Sequence, residues 1–117
     1  MAESNIKASF SNAVSGSQRA TLDDLVWDTQ TKPGVSVAIL YRHETSGEYT
    51  ALVDMAPGTN YAAHTHQLLE EVFVISGTFY DNEKVYRTGD YVIREPGAVH
   101  TTRADEDCRV LVTYRRF

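Results

Sequence analysis

The sequence is poor in the features that announce several common functions. It has one cysteine, Cys108, so no intrachain disulfide can form, and a reducing cytoplasmic setting is expected. Lys and Arg number 11 against 16 Asp and Glu, a formal charge of −5. No basic cluster is longer than Arg115-Arg116, and phosphate binding needs clustered cations, so nucleic acid is not an expected partner. No apolar run approaches the roughly 20 residues of a membrane helix, so no membrane partner is expected either. The opening MAESNIKASFSNAVSGSQ lacks the apolar segment of a secretory signal. Long amphipathic helical patterns are missing as well.

What is present is β-type patterning with regular punctuation. The chain has 117 residues, enough for one domain with its own core. Residues 1–21 are rich in Ser, Asn and Ala and read as an arm or edge segment outside the main domain, which is expected over 22–117. Thr21 with Asp24 three residues on suggests a capped helical turn. From Pro33 onward, strand-like runs follow one another: Val35–Arg42, Tyr49–Met55, Glu71–Ser76, TFY and VYR around the turn Asp81–Lys84, YVIR, AVHTT and CRVLVTY. Turn residues separate them at a spacing of roughly 8–12 residues, the pattern of an all-β sandwich or barrel.

One stretch carries chemistry. In GTNYAAHTHQLLEEVFVISG, His64 and His66 stand two residues apart, and side chains two apart on a strand share a face. Glu70 has their parity and Glu71 does not, which favours Glu70 if the strand is unbroken. A third histidine, His100, follows Gly97 at the start of a later strand. Taken singly, each of these reads as an ordinary surface or loop group. Together, three imidazoles and a carboxylate form a mixed nitrogen and oxygen shell suited to iron, manganese, nickel, copper or zinc. It does not suit an all-oxygen magnesium or calcium site.

The pattern Gly58-x5-His64-x-His66-x3-Glu70-x6-Gly77 resembles the first signature motif of the cupin superfamily. The run Gly89 to Pro96-Gly97-x2-His100 approximates the second, with Glu95 where proline is usual and Ala104 where asparagine is common. More narrowly, Trp27, Pro33-Gly34-Val35, Glu70-Glu71, Tyr91-Val92 and Pro96 to His100 resemble the ChrR-like cupins. That group includes the sensor domain of the ChrR anti-sigma factor and relatives of acetylacetone-cleaving dioxygenases. The resemblance covers about Trp27 to Val112. It implies a single antiparallel RmlC-like β-barrel or jelly roll, forming a homodimer, with His64, His66, Glu70 and His100 as metal ligands. Fe2+ is the favoured ion, with Zn2+, Mn2+ or Ni2+ as alternatives.

Two functions compete on this reading. The first is a metal-dependent dioxygenase acting on a small carbonyl or diketone-like substrate. Glu70 suits the common cupin set of three histidines and a glutamate, and departs from the three-histidine set of the acetylacetone-cleaving relatives. The second is a non-catalytic metal-bound sensor of a small molecule or oxidant. A metal-free isomerase is disfavoured because all four ligand positions hold metal-binding residues. His43 is expected to be a solvated loop histidine, and Cys108 a small buried hydrophobe. Arg42, Gln67, Tyr91 and Arg94 are placed near the barrel mouth or strand edges, with surface ion pairing expected for the arginines. The seven tyrosines are expected to pack edges or a subunit contact.

Overall fold

A computed structural model describes residues 6–12 and 15–117. Among these residues eleven strands form two sheets that face each other. They are β1 (Ala8–Phe10), β2 (Trp27–Lys32), β3 (Val35–Arg42), β4 (Tyr49–Met55), β5 (Thr59–His64), β6 (Leu69–Ser76), β7 (Thr78–Asp81), β8 (Lys84–Arg87), β9 (Tyr91–Arg94), β10 (His100–Ala104) and β11 (Cys108–Arg115). The larger sheet runs β1-β3-β4-β11-β6-β9, with β2 also on β3, and the smaller runs β5-β10-β7-β8. The spans of β3, β4 and β9 are those expected from the sequence. Each is an apolar or alternating run closed at both ends by turn residues.

Of the expected β-barrel or jelly roll, the sheets form a jelly-roll sandwich and not a closed barrel. Among the described residues no strand pairing joins the two, and a jelly-roll sandwich remains. The cause lies at the corners. The chain passes from one sheet to the other near Gly58, Gly77, Gly89 and Gly97, where turn bonds replace ladder bonds: the Gly58 amide donates to Ala104, Gly89 to Val74 and Gly97 to His66. Gly77 shows how tight a corner is. A Cβ there would lie 2.1 Å from the Asp107 carbonyl oxygen, so no side chain fits.

Of the segment expected as an arm or edge, Ala8–Phe10 pair in parallel with β3, and Ile6 is buried with Ile39 and Ala51. Residues 1–5, 13 and 14 lie outside the described residues. Leu22–Asp24 form the expected turn, as a 3-10 helix, with Asp24 accepting from both the Thr21 amide and hydroxyl. β2 was not foreseen, because WDTQTK is polar. It is an edge strand that needs only β3 as neighbour.

Strand alternation sorts the larger sheet into two faces. Inward, Val37, Val53, Val110 and Val74 form one cross-strand row, and Ile39, Ala51, Val112, Val72 and Val92 the next. With Phe79 and Ala104 of the smaller sheet they build the core. The third inward row is different: Tyr49, Tyr114, Glu70 and Arg94. Here the interior turns polar, at the end of the sandwich where β5 and β10 carry His64 and His100.

Candidate metal centre

His64 and His100 face each other in register on β5 and β10. The pairing slips between them and the next pair, Thr102 with Tyr61, so β5 spends three residues where β10 spends two. This bulge re-aims the strand end. Tyr61 and His64 both point inward, which a regular strand would forbid. The His64 Nδ1–H donates to the Ala62 carbonyl at 2.8 Å, leaving Nε2 as the free lone pair.

β5 ends at His64, so His66 lies in the loop to β6. The expectation that His64, His66 and Glu70 share one strand parity is corrected accordingly. A different contact places His66: the Gly97 amide donates to its carbonyl at 3.0 Å. Gly97 sits at φ 86°, a region that favours glycine, and so the turn before His100 also anchors the His66 loop. The preference for Glu70 over Glu71 survives for another reason. Within β6, Glu70 alternates with the buried Val72 and Val74, while Glu71 shares the outer face with Phe73.

One ligand atom from each of His64, His66 and His100 lies within 4.8 Å of the others. Their ring centroids are 4.1 to 5.3 Å apart. Glu70 adjoins the cluster, with Oε2 3.3 Å from His66 Nε2 and Oε1 3.8 Å from His100 Nε2. Each Glu70 oxygen also accepts a 2.6 Å hydrogen bond, Oε1 from Arg94 and Oε2 from the Tyr114 hydroxyl. Arg94 reaches across to the smaller sheet and donates to Asp81 at 2.8 Å. Arg94 was expected as a surface ion pair. It is 9% exposed, because β9 alternation turns it inward beside Glu70.

Electrostatics follow from this packing. Burial opposes the Glu70 charge, but the Tyr114 hydroxyl, His66 and Arg94 outweigh it and hold the carboxyl below its ordinary range. Burial also works against the Arg94 charge, and Asp81 and Glu70 more than offset it. His100 is pushed down to about 4, first by burial and then by the nearby Arg94 charge. It is therefore neutral at ordinary pH, the form that binds metal.

Both ring nitrogens of His100 are buried without a hydrogen-bond partner among the described residues. An imidazole carries one N–H and one lone pair, and leaving both unmet in the interior costs free energy. A divalent ion would take the lone pair. The donor set and the buried lone pair thus fit a transition metal.

The cluster heads a cavity of about 110 Å3 between the sheets. Val53, Val72, Val110, Val112 and Phe79 line its depth, and Tyr61, Tyr114 and Thr102 its polar end. The other expected groups stay away. His43 keeps to its own turn, where its Nδ1 accepts from the Ser46 amide at 3.2 Å. Cys108 is 3% exposed, and burial pushes its thiol up to about 11, as suits a small hydrophobe. Gln67 is exposed, Arg42 donates to the Ile6 carbonyl, and Tyr91 donates to Glu71 outside. Sequence reasoning missed Tyr114 and Asp81. The parity of Tyr114 with Val110 and Val112 was the signal for the first; Asp81 had none, since it sits in a turn sequence.

Two facing sheets with a histidine cluster at one end define a cupin. Solved structures agree on the fold. An RmlC-like cupin from Shewanella frigidimarina NCIMB 400 is 16% identical with a TM-score of 0.74, over 85% of this chain and 90% of that one. An acetylacetone dioxygenase from Acinetobacter johnsonii is 16% identical with a TM-score of 0.71, over 88% and 75%. The family model of the ChrR cupin-like domain matches residues 15–117, and the chain belongs to that family. A chain in the Rhodobacter sphaeroides complex of SigE with the anti-sigma ChrR is 29% identical with a TM-score of 0.68. The match covers 80% of this chain but only 51% of that one, so this chain spans about half of its relative. No curated protein matches. Among the described residues no helix is long and apolar enough to cross a membrane.

Proposed function

We infer that this protein is a metal-dependent dioxygenase-type oxidoreductase acting on a small carbonyl compound with two convergent oxygens. The observation that carries the reading is the placement of three histidine ligand atoms, within 4.8 Å of one another, at the head of a small apolar cavity. His64, His66 and His100 hold the ion, and Glu70 is the fourth ligand. Ligand atoms about 2.0–2.2 Å from one ion stand roughly 3–4 Å from each other. Glu70 Oε2 stands in that range from His66 Nε2, at 3.3 Å, and the other oxygen, Oε1, lies 3.8 Å from His100 Nε2. The bonds from Arg94 and Tyr114 leave it further lone pairs, since a carboxylate offers about four.

A bound ferrous ion would supply Lewis acidity and redox chemistry, with positions open beyond these four. The chain supplies the rest. Arg94 and Tyr114 hold Glu70 ionised and oriented. The valines and Phe79 make the lining apolar and select for a small compound, since the cavity of about 110 Å3 is smaller than the roughly 150 Å3 that holds a benzene ring. The lone buried thiol accords with a reducing cytoplasm.

The test is oxygen uptake by anaerobically iron-loaded protein given β-diketones or 2-hydroxyketones. Uptake that His100→Ala abolishes supports the reading. A second reading, a metal-bound sensor, is favoured by the higher identity to the chain from the SigE–ChrR complex. It takes over if fully loaded protein consumes no oxygen across such a panel while one compound binds and raises its melting temperature.

A further inference from the structure

β10 lies inside the smaller sheet, paired with β5 on one side and β7 on the other. Its inward positions are His100, Thr102 and Ala104, all buried. Thr102 stands two residues beyond His100, roughly 7 Å along the strand, and lines the same cavity. Much of the wall around that cavity is valine, with Val53, Val72, Val110 and Val112 coming from the larger sheet.

A threonine there carries a cost that valine does not. The two side chains are alike in shape, and both suit a strand. A hydroxyl turned into an apolar interior gives up its bonds to water, and only a new partner offsets that loss. Thr59, the buried threonine of β5, has such partners: its hydroxyl bonds the Ala56 carbonyl at 2.7 Å and the Gly34 carbonyl at 3.1 Å. Among the described residues no group bonds the Thr102 hydroxyl. Nor is its oxygen enclosed by packing, as the His100 ring nitrogens are, so it opens onto the cavity. The polar groups nearby are already committed, Arg94 to Glu70 and Asp81, and Tyr114 to Glu70.

We propose that Thr102 determines specificity: its hydroxyl bonds a substrate oxygen one step deeper than the metal site. The cavity then takes a short-chain carbonyl compound with a third oxygen, beyond the two that reach the ion. This rests on the reading that a carbonyl compound chelates at the His64, His66 and His100 cluster. A hydroxyl both donates and accepts, so it meets a substrate hydroxyl or carbonyl equally well. Because β10 is paired on both sides, the hydroxyl is held in place before the substrate arrives. A plain diketone leaves it unmet, whereas a hydroxylated ketone satisfies it.

NMR chemical-shift titration of zinc-loaded protein with hydroxyacetone and with dihydroxyacetone tests this. Both compounds chelate through a carbonyl and the adjacent hydroxyl, and only the second carries a further hydroxyl. The wild type should bind dihydroxyacetone about fivefold more tightly, the scale of one neutral hydrogen bond. Thr102→Val should bring the two within about twofold, and Thr102→Ser should keep the wild-type gap. Zinc content and thermal unfolding check that both variants fold. Equal affinities in the wild type, or a gap that persists in Thr102→Val, overturn the proposal alone. Absence of binding by either compound overturns it together with the carbonyl reading. A gap that depends on Thr102, without oxygen uptake by iron-loaded protein, supports it and removes the dioxygenase reading.

Discussion

The two ends of the sandwich interior differ in kind. At one end Val35, Met55, Val74, Phe79, Ala104, Cys108 and Val110 close into a cluster without a buried charge. At the other, Glu70, Arg94, Asp81 and His100 are buried among tyrosines beside an open cavity. The same strands build both. β6 contributes Val74 to the first and Glu70 to the second, four residues apart on one inward face. The fold is thus held by the apolar end and lends its rigidity to the polar end. The polar end spends stability on ionised groups whose positions serve binding.

This division can be broken from either side. Arg94→Met removes the cation that Glu70 and Asp81 share and strands two buried carboxylates. A loss of about 3–5 kcal/mol is expected by chemical denaturation, with metal affinity down roughly 10–100-fold. Phe79→Ala should cost about as much, 3–5 kcal/mol, through the cavity it leaves. Its metal stoichiometry should be unchanged in the folded fraction. Equal metal loss in both variants would show that the ends are not separable.

Smaller changes sharpen the contrast. Tyr114→Phe deletes one buried bond to a charged acceptor and should cost about 1.5–3 kcal/mol. Glu70→Gln should lower metal affinity more than Glu71→Gln does, as titration of the two variants would show. Acid should also act through Glu70 in metal-free protein. A carboxyl held below its ordinary value of 4.5 stabilises the fold above that pH, and the stabilisation is lost as pH falls through the lowered value. Denaturation midpoints measured from pH 6 down to pH 3 should therefore fall more steeply for wild type than for Glu70→Gln. The smallest effect lies outside both ends. Asn82 and Glu83 form a two-residue hairpin turn with φ of 48° and 72°. Glycine suits that region better, so Glu83→Gly should raise stability by about 0.5–1 kcal/mol.

The apolar end was more legible in the sequence than the polar one. Val35–Arg42, Tyr49–Met55 and Tyr91–Arg94 stand in the structure as read, because period and turn residues are local signals. The histidines were legible as a spacing, but the means that gather them were not. The bulge that turns His64 inward leaves no mark in AAHTH, and the tie from Gly97 to the His66 carbonyl joins residues far apart in the chain. Arg94 was misplaced on the surface because arginine is rarely buried, and only the register of β9 on β6 sets it beside Glu70. The edge strand β2 was missed because WDTQTK is polar, and β1 was not picked out of the expected arm or edge segment because it spans only Ala8–Phe10.

The central claim is that His64, His66 and His100 make one metal site. Direct titration of metal-free, untagged protein with Zn2+ and with Fe2+ under anaerobic conditions tests it. The account predicts one ion per chain, with His100→Ala weakening binding at least tenfold and His43→Ala leaving it unchanged. Full affinity in His100→Ala, or loss of binding in His43→Ala, would contradict it.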